Sequence, residues 1–500
     1  MSLSNRPNLL YIHTDQHTPY VLGCYGDQLV QTPHLDHLAA NGVVFENAYC
    51  TSPICVPSRM SMLSGRHPYQ NEVWTNEHGL DSATPTVAHA LGAAGYKPVL
   101  AGRMHAIGPD QLHGYAERFV GDHRSNYLGG SPVDRGVLDG ASEPERASLE
   151  RSGSGQSAYQ IHDEYVTAAA IDYLNRHAVG RQATGANEPF CLTVGFMLPH
   201  APFVARREDF LLYKDKISLP KKQRPFSNET HPHLRWWRQH TGIAEVTEAE
   251  VLRARAAYWG LVTRVDAMIG QILEALAKNG LADNTLIIYT SDHGDMLGEH
   301  GLWWKHVFYE ESVKVPLIIS WPEVIPAGQR CERVVSAVDV TATILDAVSA
   351  PALPNGSGQS FLRLINGRSD PSDWDDIAFA EYCSDEFCPE GSCYQRMVRQ
   401  GDWKLIYYHG QPPQLFNLAE DPDELEDRAN DPTCQAIREG LTAVVLQDWD
   451  PEAIKLKMAA QKADTVVLKQ WAQNIQPPDI YRWPLHPDMN YLDEPPVDTL

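Results

Sequence analysis

The sequence predicts an α/β protein built on a mainly parallel sheet, and three observations carry that reading. Asn8-Leu9-Leu10-Tyr11-Ile12-His13 and the run at 284–290 are short and almost wholly apolar, the pattern of strands buried on both faces. Each is followed at once by acidic and imidazole groups, Asp15-Gln16 in the first case and Ser291-Asp292-His293-Gly294-Asp295 in the second. Helical periodicity falls between such strands, clearest at 35–40, 86–94, 251–278 and 340–348, with Gly42, Gly95 and Gly280 placed as stop signals. Alternating strands and helices put helices on both faces of the sheet, an α/β/α sandwich. Polar groups just beyond strand ends mark where such a sheet carries its site.

Residues 1–370 are expected to form this α/β domain. From about 370 the texture changes to short strand candidates, Met397-Val398-Arg399 and Trp403-Lys404-Leu405-Ile406-Tyr407-Tyr408, so 371–450 is expected to be a smaller α+β domain. The remainder, 451–500, reads as a helix followed by an extended arm from 476. Pro477-Pro478, Trp483-Pro484, His486-Pro487 and Pro495-Pro496 forbid helix there. Ile480, Tyr481, Trp483, Leu485, Tyr491 and Leu492 give it more apolar surface than a disordered tail carries. The arm is therefore expected to lie across a neighbouring subunit of a homo-oligomer, a dimer or tetramer.

The 500 residues are 43% hydrophobic, enough for a large core, and carry a formal charge of −23. That charge excludes nucleic acid and anionic membrane as bulk partners, so an anionic substrate would need locally concentrated cations. Met1-Ser2-Leu3-Ser4-Asn5-Arg6-Pro7 leads straight into the first strand without an apolar signal segment, and no run is long enough to span a bilayer; a cytoplasmic protein is expected. The nine cysteines do not form a disulfide framework. Cys383, Cys388 and Cys393 recur at a spacing unlike that of zinc ligands and are read as free thiols.

The stretch Cys55-Val56-Pro57-Ser58-Arg59, continued by Met60-Ser61-Met62-Leu63-Ser64-Gly65-Arg66, reads C-x-P-S-R-x-x-x-L-S-G-R. It resembles the signature of the type I sulfatases of the alkaline phosphatase superfamily. That resemblance implies that a maturation enzyme, formylglycine-generating or equivalent, oxidises Cys55 to formylglycine (3-oxoalanine), whose hydrated aldehyde is the nucleophile. The need is chemical: a geminal diol offers one hydroxyl for attack and a second that later expels sulfate. Pro57 is tolerated in a first helical turn, which places Cys55 at a helix start.

The resemblance extends over roughly 8–430 and implies roles for further residues. Asp15, Gln16, Asp292 and His293 match metal ligands, completed by Cys55, and the Asp-Gln with Asp-His combination is similar to the choline sulfatase and phosphonate monoester hydrolase branches. Mostly oxygen ligands suit one Ca²⁺ or Mn²⁺, with the imidazole favouring Mn²⁺. Arg59 would hold the formylglycine hydroxyl. In Gly102-Arg103-Met104-His105-Ala106-Ile107-Gly108, His105 falls on the base that drives sulfate out, and Arg103 replaces the usual lysine as sulfate ligand. His200 and Lys305 match the pair that binds the ester and protonates the leaving oxygen, and Asn76 matches a substrate-anion donor.

Gly108-Pro109-Asp110-Gln111-Leu112-His113-Gly114 and the run around Asp292 resemble choline sulfatases in particular, and Leu415-Phe416-Asn417-Leu418 with Asp421-Pro422 resembles the segment closing the smaller sulfatase domain. A quaternary ammonium substrate needs an aromatic cage and a carboxylate. Glu381-Tyr382 and the pair Trp303-Trp304 are the candidates for it. The function implied is a metal-dependent hydrolase of a small aryl or alkyl sulfate ester, choline sulfate among the options. Phosphonate monoester or phosphodiester hydrolysis on the same scaffold is the alternative, and a non-catalytic binder of sulfated ligands the third.

Overall fold

The computed structural model describes residues 6–185, 188–223, 226, 230–322, 324–366, 373–385 and 393–494. Its centre is an eight-stranded sheet. Across the sheet the strands run Gln329–Ser336, Val43–Tyr49, Leu317–Ser320, Thr285–Ser291, Asn8–Asp15, Cys191–Pro199, Pro98–Gly102 and Glu117–Phe119. Leu317–Ser320 is antiparallel to both neighbours; the other pairings are parallel. The four strands at the middle are buried along their whole length, which is why their sequences are apolar runs and not alternating ones.

Helices cover both faces. Pro33–Ala40, Ala158–Thr184 and Glu248–Lys278 pack together on one side, and Cys55–Ser64, Val87–Ala93 and Ala337–Ala347 on the other, giving the α/β/α sandwich. The 31-residue helix Glu248–Lys278 starts at a capping box in which Thr247 and Glu250 satisfy each other's backbone N–H groups.

Thr285–Ser291, Asn8–Asp15, Cys191–Pro199 and Pro98–Gly102 are consecutive neighbours and all parallel, so their C-terminal ends open on one side of the sheet. The residues just beyond them are Asp292 and His293, Gln16, His200, and Arg103 with His105. Two glycines let the last pair of strand ends close up. A Cβ on Gly195 would lie 1.9 Å from Arg103 O, and one on Gly102, at φ +93°, would lie 2.2 Å from Gly195 O. With both bare, Arg103 N donates to Gly195 O at 2.8 Å.

Ile377–Ser384, Cys393–Gln400, Trp403–Tyr408 and Gln414–Asn417 form a second sheet, an antiparallel meander. Helix Gln435–Leu446 covers it, and Val398, Leu405, Leu415, Leu441, Val445 and Trp449 make its core. The boundary expected at 370 lies outside the described residues. Lys404 reaches from this sheet into the catalytic domain, its Nζ 2.9 Å from Glu310 Oε1 and 2.7 Å from Glu424 Oε1, all three buried.

Helix Pro451–Ile475 comes next, and the extended segment after it turns back over the catalytic domain of its own chain. Trp483 packs edge-on against His162 at 5.3 Å between ring centroids, and Tyr491–Leu492 pairs with Gly153–Gln156. The apolar side chains that suggested an arm across a neighbour are, for Trp483 and Leu485, packed within this single chain. Pro495-Pro496 lies outside the described residues. Among the described residues, no helix is long and apolar enough to cross a membrane.

Candidate active site

The helix Cys55–Ser64 is buried on every side, so its register is fixed all round. Its N-cap residue, Ile54, has no capping side chain. Asn76 supplies the acceptor instead, its Oδ1 taking the Val56 N–H at 3.0 Å. Ser58 Oγ donates to Asp292 O at 2.6 Å and ties the helix to the strand end opposite. Cys55, at the first position, is 1% exposed. Burial first, and then Asp15, pushes its thiol above the ordinary range.

Asp15, Cys55, Asp292 and His293 offer ligand atoms that all lie within 4.8 Å of one another. Cys55 Sγ is 3.7 Å from Asp15 Oδ1 and 3.3 Å from His293 Nε2. His293 Nδ1 donates to Gly294 O at 3.0 Å, which leaves the Nε2 lone pair facing the cluster. Burial brings its pKa down to about 4, so the ring is neutral and able to ligate. Asp292 Oδ1 accepts the backbone N–H groups of Gln16 and His293, each at 3.0 Å. Gln16 Nε2 donates to Asp295 Oδ2, while Gln16 Oε1 is buried with no hydrogen-bond partner among the described residues. Two carboxylates, a neutral imidazole and an orphaned amide oxygen fit a divalent cation with mixed oxygen and nitrogen ligands.

Arg59 clamps the two carboxylates. Its Nε donates to Asp292 Oδ2 at 2.8 Å and its NH2 to Asp15 Oδ2 at 3.0 Å, while NH1 reaches His13 Nδ1 at 2.9 Å and Arg103 O at 3.2 Å. These bonds join Arg59 to both carboxylates that stand beside Cys55. Burial alone would raise the Asp15 carboxyl, but the guanidinium groups of Arg103 and Arg59 hold it well below the usual carboxylate range.

Arg103 forks between two acids. Nε donates to Asp15 Oδ2 at 2.6 Å, NH1 to Asp122 Oδ1 at 2.7 Å, and NH2 to His105 Nδ1 at 2.8 Å. Asp122 Oδ2 accepts the His105 backbone N–H at 2.8 Å, in a turn where His105 sits at φ +59°. A guanidinium only donates, so His105 Nδ1 carries the lone pair and Nε2 the proton, and Nε2 has no partner among the described residues. Burial and then Arg103 keep the ring well below its usual pKa. Asp122 was not named from the sequence; its only signal is an acid three residues past a short edge strand.

Lys305 closes the site from the opposite side. Its Nζ is 3.1 Å from Cys55 Sγ, 3.0 Å from His200 Nε2 and 3.3 Å from His293 Nε2. His200 Nδ1 donates to Ala201 O at 2.6 Å, so Nε2 is an acceptor facing the lysine. Burial, then Lys305, drives His200 well below the usual imidazole range.

These groups line a cavity of about 240 Å³ that includes Cys55, Asn76, Arg103, His105, His200 and Lys305. Its lining also includes two acid–base pairs, Arg124 with Glu143 at 2.7 Å and Lys462 with Asp385 at 2.8 Å, and Glu77, which pairs with Lys469 at 2.7 Å. The two tryptophans considered for a cage lie elsewhere. Trp303 and Trp304 are each 2% exposed, Trp303 against Phe203 and Trp304 bonded to Ser148 Oγ, and neither lines the cavity. Glu381 is buried behind it, accepting from Tyr69 N and Trp449 Nε1, and only Tyr382 of that pair reaches the cavity. Cys383 and Cys393 are free thiols, and Cys388 lies outside the described residues.

Comparison with known proteins shows the family. The sulfatase family model matches residues 7–350, and the model for the C-terminal part of N-sulphoglucosamine sulphohydrolase matches 298–449. A choline-sulfatase of Rhizobium meliloti (strain 1021) is 33% identical over 94% of this chain and 92% of its own length. Arylsulfatase K of Gallus gallus is 31% identical over 85% of this chain and 79% of its own. The crystal structure of the phosphonate monoester hydrolase of Agrobacterium radiobacter superposes with a TM-score of 0.70 at 25% identity, covering 88% of this chain and 95% of that one.

Proposed function

Since this chain belongs to the sulfatase family and is a sulfuric ester hydrolase, we propose that it acts through Cys55 matured to formylglycine, with one divalent cation held by Asp15, Gln16, Asp292 and His293. The observation that carries this reading is that Cys55, Lys305 and His200 line one cavity while Asp15, Asp292 and His293 offer ligand atoms within 4.8 Å of the Cys55 sulfur and of one another. A buried thiol pushed upward by its surroundings is a poor nucleophile. The hydrated aldehyde supplies instead a hydroxyl for attack and a second to release sulfate, and the cation supplies Lewis-acid stabilisation of the attacking oxygen.

The remaining work falls to the chain's own groups. Arg103 and Lys305 bind the sulfate oxygens and neutralise charge that grows in the transition state. Lys305 Nζ delivers a proton to the departing ester oxygen, and His200 Nε2, fixed by its Nδ1–H to Ala201 O, holds that ammonium in place and shares its proton. When an Arg103 N–H turns from His105 Nδ1 to a substrate oxygen, that nitrogen is free to take a proton. His105 can then serve as the base that drives sulfate out. Asn76 keeps its NH₂ available to the substrate because its oxygen is used on Val56 N.

The leaving group we propose is small and polar. Beyond the reacting groups, the described lining of the cavity is mainly charged and polar, and its aromatic rings other than imidazoles are those of Tyr159 and Tyr382. Choline sulfate belongs in the test panel beside aryl and polyhydroxyl sulfates. The second reading, phosphonate monoester hydrolysis, is favoured by the likeness in shape to such an enzyme and disfavoured by the charged Arg103 beside His105. Relative kcat/KM on 4-nitrophenyl sulfate and a 4-nitrophenyl phosphonate decides between them. The sulfate reading requires the sulfate to be the better substrate, and a phosphonate preference overturns it.

A further inference from the structure

The C-terminal segment returns to a particular place in the catalytic domain, the stretch 121–126. Trp483 N donates to Asp122 O at 2.7 Å. Arg482 Nε donates to His123 O at 3.1 Å and its NH2 to Ser131 O at 3.1 Å. Asp479 Oδ1 accepts the Asn126 N–H at 3.1 Å. Three residues of the tail thus take up backbone groups on three residues of that stretch, groups that no strand or helix of the domain satisfies.

Gly121 shows how close the approach is. A Cβ there would stand 1.5 Å from Tyr481 O, so any side chain at 121 excludes the tail from its seat. The Gly121 carbonyl is also 2.9 Å from His162 Nε2, in the ring against which Trp483 packs. His162 Nδ1 in turn lies 2.9 Å from Asp163 Oδ1. Asp163 accepts the backbone N–H groups of Met197 at 3.0 Å and Leu198 at 2.8 Å, at the strand end that leads to His200.

The clamped stretch contains Asp122, the buried carboxylate that holds Arg103 NH1 and the His105 backbone N–H. The short edge strand Glu117–Phe119 is half-buried at the border of the sheet and reaches the stretch through Arg118 NH2, 3.5 Å from Asp122 Oδ2, so the tail's three backbone contacts add to the support that 121–126 receives from the domain. We propose that residues 479–483 are a positioning element of the active site, acting through the backbone of 121–126 on Asp122 and thereby on Arg103 and His105. A tail that merely covers apolar surface would affect stability; one that positions Asp122 affects turnover.

Two substitutions in the full chain and one truncation separate these. Gly121→Ala lifts the tail by steric exclusion, a chain ending at residue 475 removes it, and Asp122→Asn breaks the carboxylate link directly. With 4-nitrophenyl sulfate, the first two are expected to lower kcat by more than about tenfold while KM shifts less than about threefold, the scale of misplacing catalytic groups from a distance. Amide hydrogen exchange in 121–126 is expected to speed up by at least about tenfold in both. Gly121→Ala combined with Asp122→Asn is expected to lose no more than Asp122→Asn alone, because both act on one link. Unchanged kcat and unchanged exchange, or losses that multiply in the double variant, would overturn the proposal. The kinetic arm rests on the sulfatase reading. If the wild-type protein turns over no sulfate ester, that reading fails, while the exchange arm still decides whether the tail holds 121–126.

Discussion

Lys305 Nζ stands 3.1 Å from Cys55 Sγ, at the start of a helix buried on all sides. The same ammonium is 3.0 Å from His200 Nε2, so one cation faces both the nucleophile position and the group that shares its proton. This relationship requires Lys305 to act in the transition state more than in binding. Lys305→Ala is expected to lower kcat on a sulfate ester with a poor leaving group by about 2 to 4 kcal/mol of transition-state stabilisation. On 4-nitrophenyl sulfate, which departs without a proton, the loss should be smaller. Equal losses on both would show that Lys305 only binds sulfate.

Arg103 carries Asp15, Asp122 and His105 on one planar fork. Arg103→Ala is expected to cost about 2 to 4 kcal/mol in kcat/KM. Arg103→Lys should recover only part, since an ammonium is a point donor that cannot hold two carboxylates in one plane. Steady-state kinetics of both variants check this, and near-normal kinetics in the alanine variant would remove Arg103 from the mechanism.

Arg59 is wholly buried between Asp15 and Asp292. Arg59→Met leaves two buried carboxylates facing each other and is expected to destabilise the fold by about 3 to 5 kcal/mol. Saturating divalent cation should restore part of the lost melting temperature, because it binds only the folded site. Melting with and without the ion measures both effects.

Metal removal tests the ligand set directly. Dialysis against a chelator should abolish turnover, and Ca²⁺ or Mn²⁺ should restore it, the more effective ion identifying the native one. Asp292→Asn should bind neither ion at stoichiometry. Full activity in a preparation shown by elemental analysis to be metal-free would contradict the ligand assignment.

Stability should fall on mild acidification. His17, His67, His200, His233 and His293 are among many imidazoles that burial keeps neutral, with folded pKa values below the unfolded 6.5. The unfolded chain therefore takes up protons that the folded one refuses. Their contribution is complete above about pH 6.5 and declines below it by about 1.4 kcal/mol per pH unit for each. Asp266, Asp339, Glu381 and Glu424, raised to about 7 by burial, have the opposite slope, their stabilisation lost as pH rises toward 7. The histidines outnumber them, so the melting temperature should drop between pH 7 and pH 5.5. A flat profile would show that the buried rings are protonated in the fold.

The sequence was most informative where local pattern and chemistry coincide. Apolar runs ending in acids marked the central strands, and the motifs around Cys55, Arg103, His200 and Lys305 named residues that converge on one cavity. Asp122 and Asp163 were illegible, because each works by receiving backbone N–H groups from distant segments, a role that leaves no spacing pattern. The long helix Ala158–Thr184 was missed since its surface is mostly small or polar side chains. The course of the tail depends on Gly121 and His162, far from it in the chain, and its own composition shows only that it must pack somewhere. Trp303 and Trp304, which the sequence offered as cage faces while favouring core, are core, as large rings near a motif more often are.

The central claim is that turnover depends on Cys55 carried to the aldehyde state. Mass spectrometry of the peptide spanning Cys55, across preparations with different degrees of maturation, measured beside specific activity on a sulfate ester, tests it most directly. The account predicts a formylglycine peptide whose fraction is proportional to activity, and no turnover in a preparation carrying only the thiol. Full activity from protein whose Cys55 is entirely unmodified would contradict it.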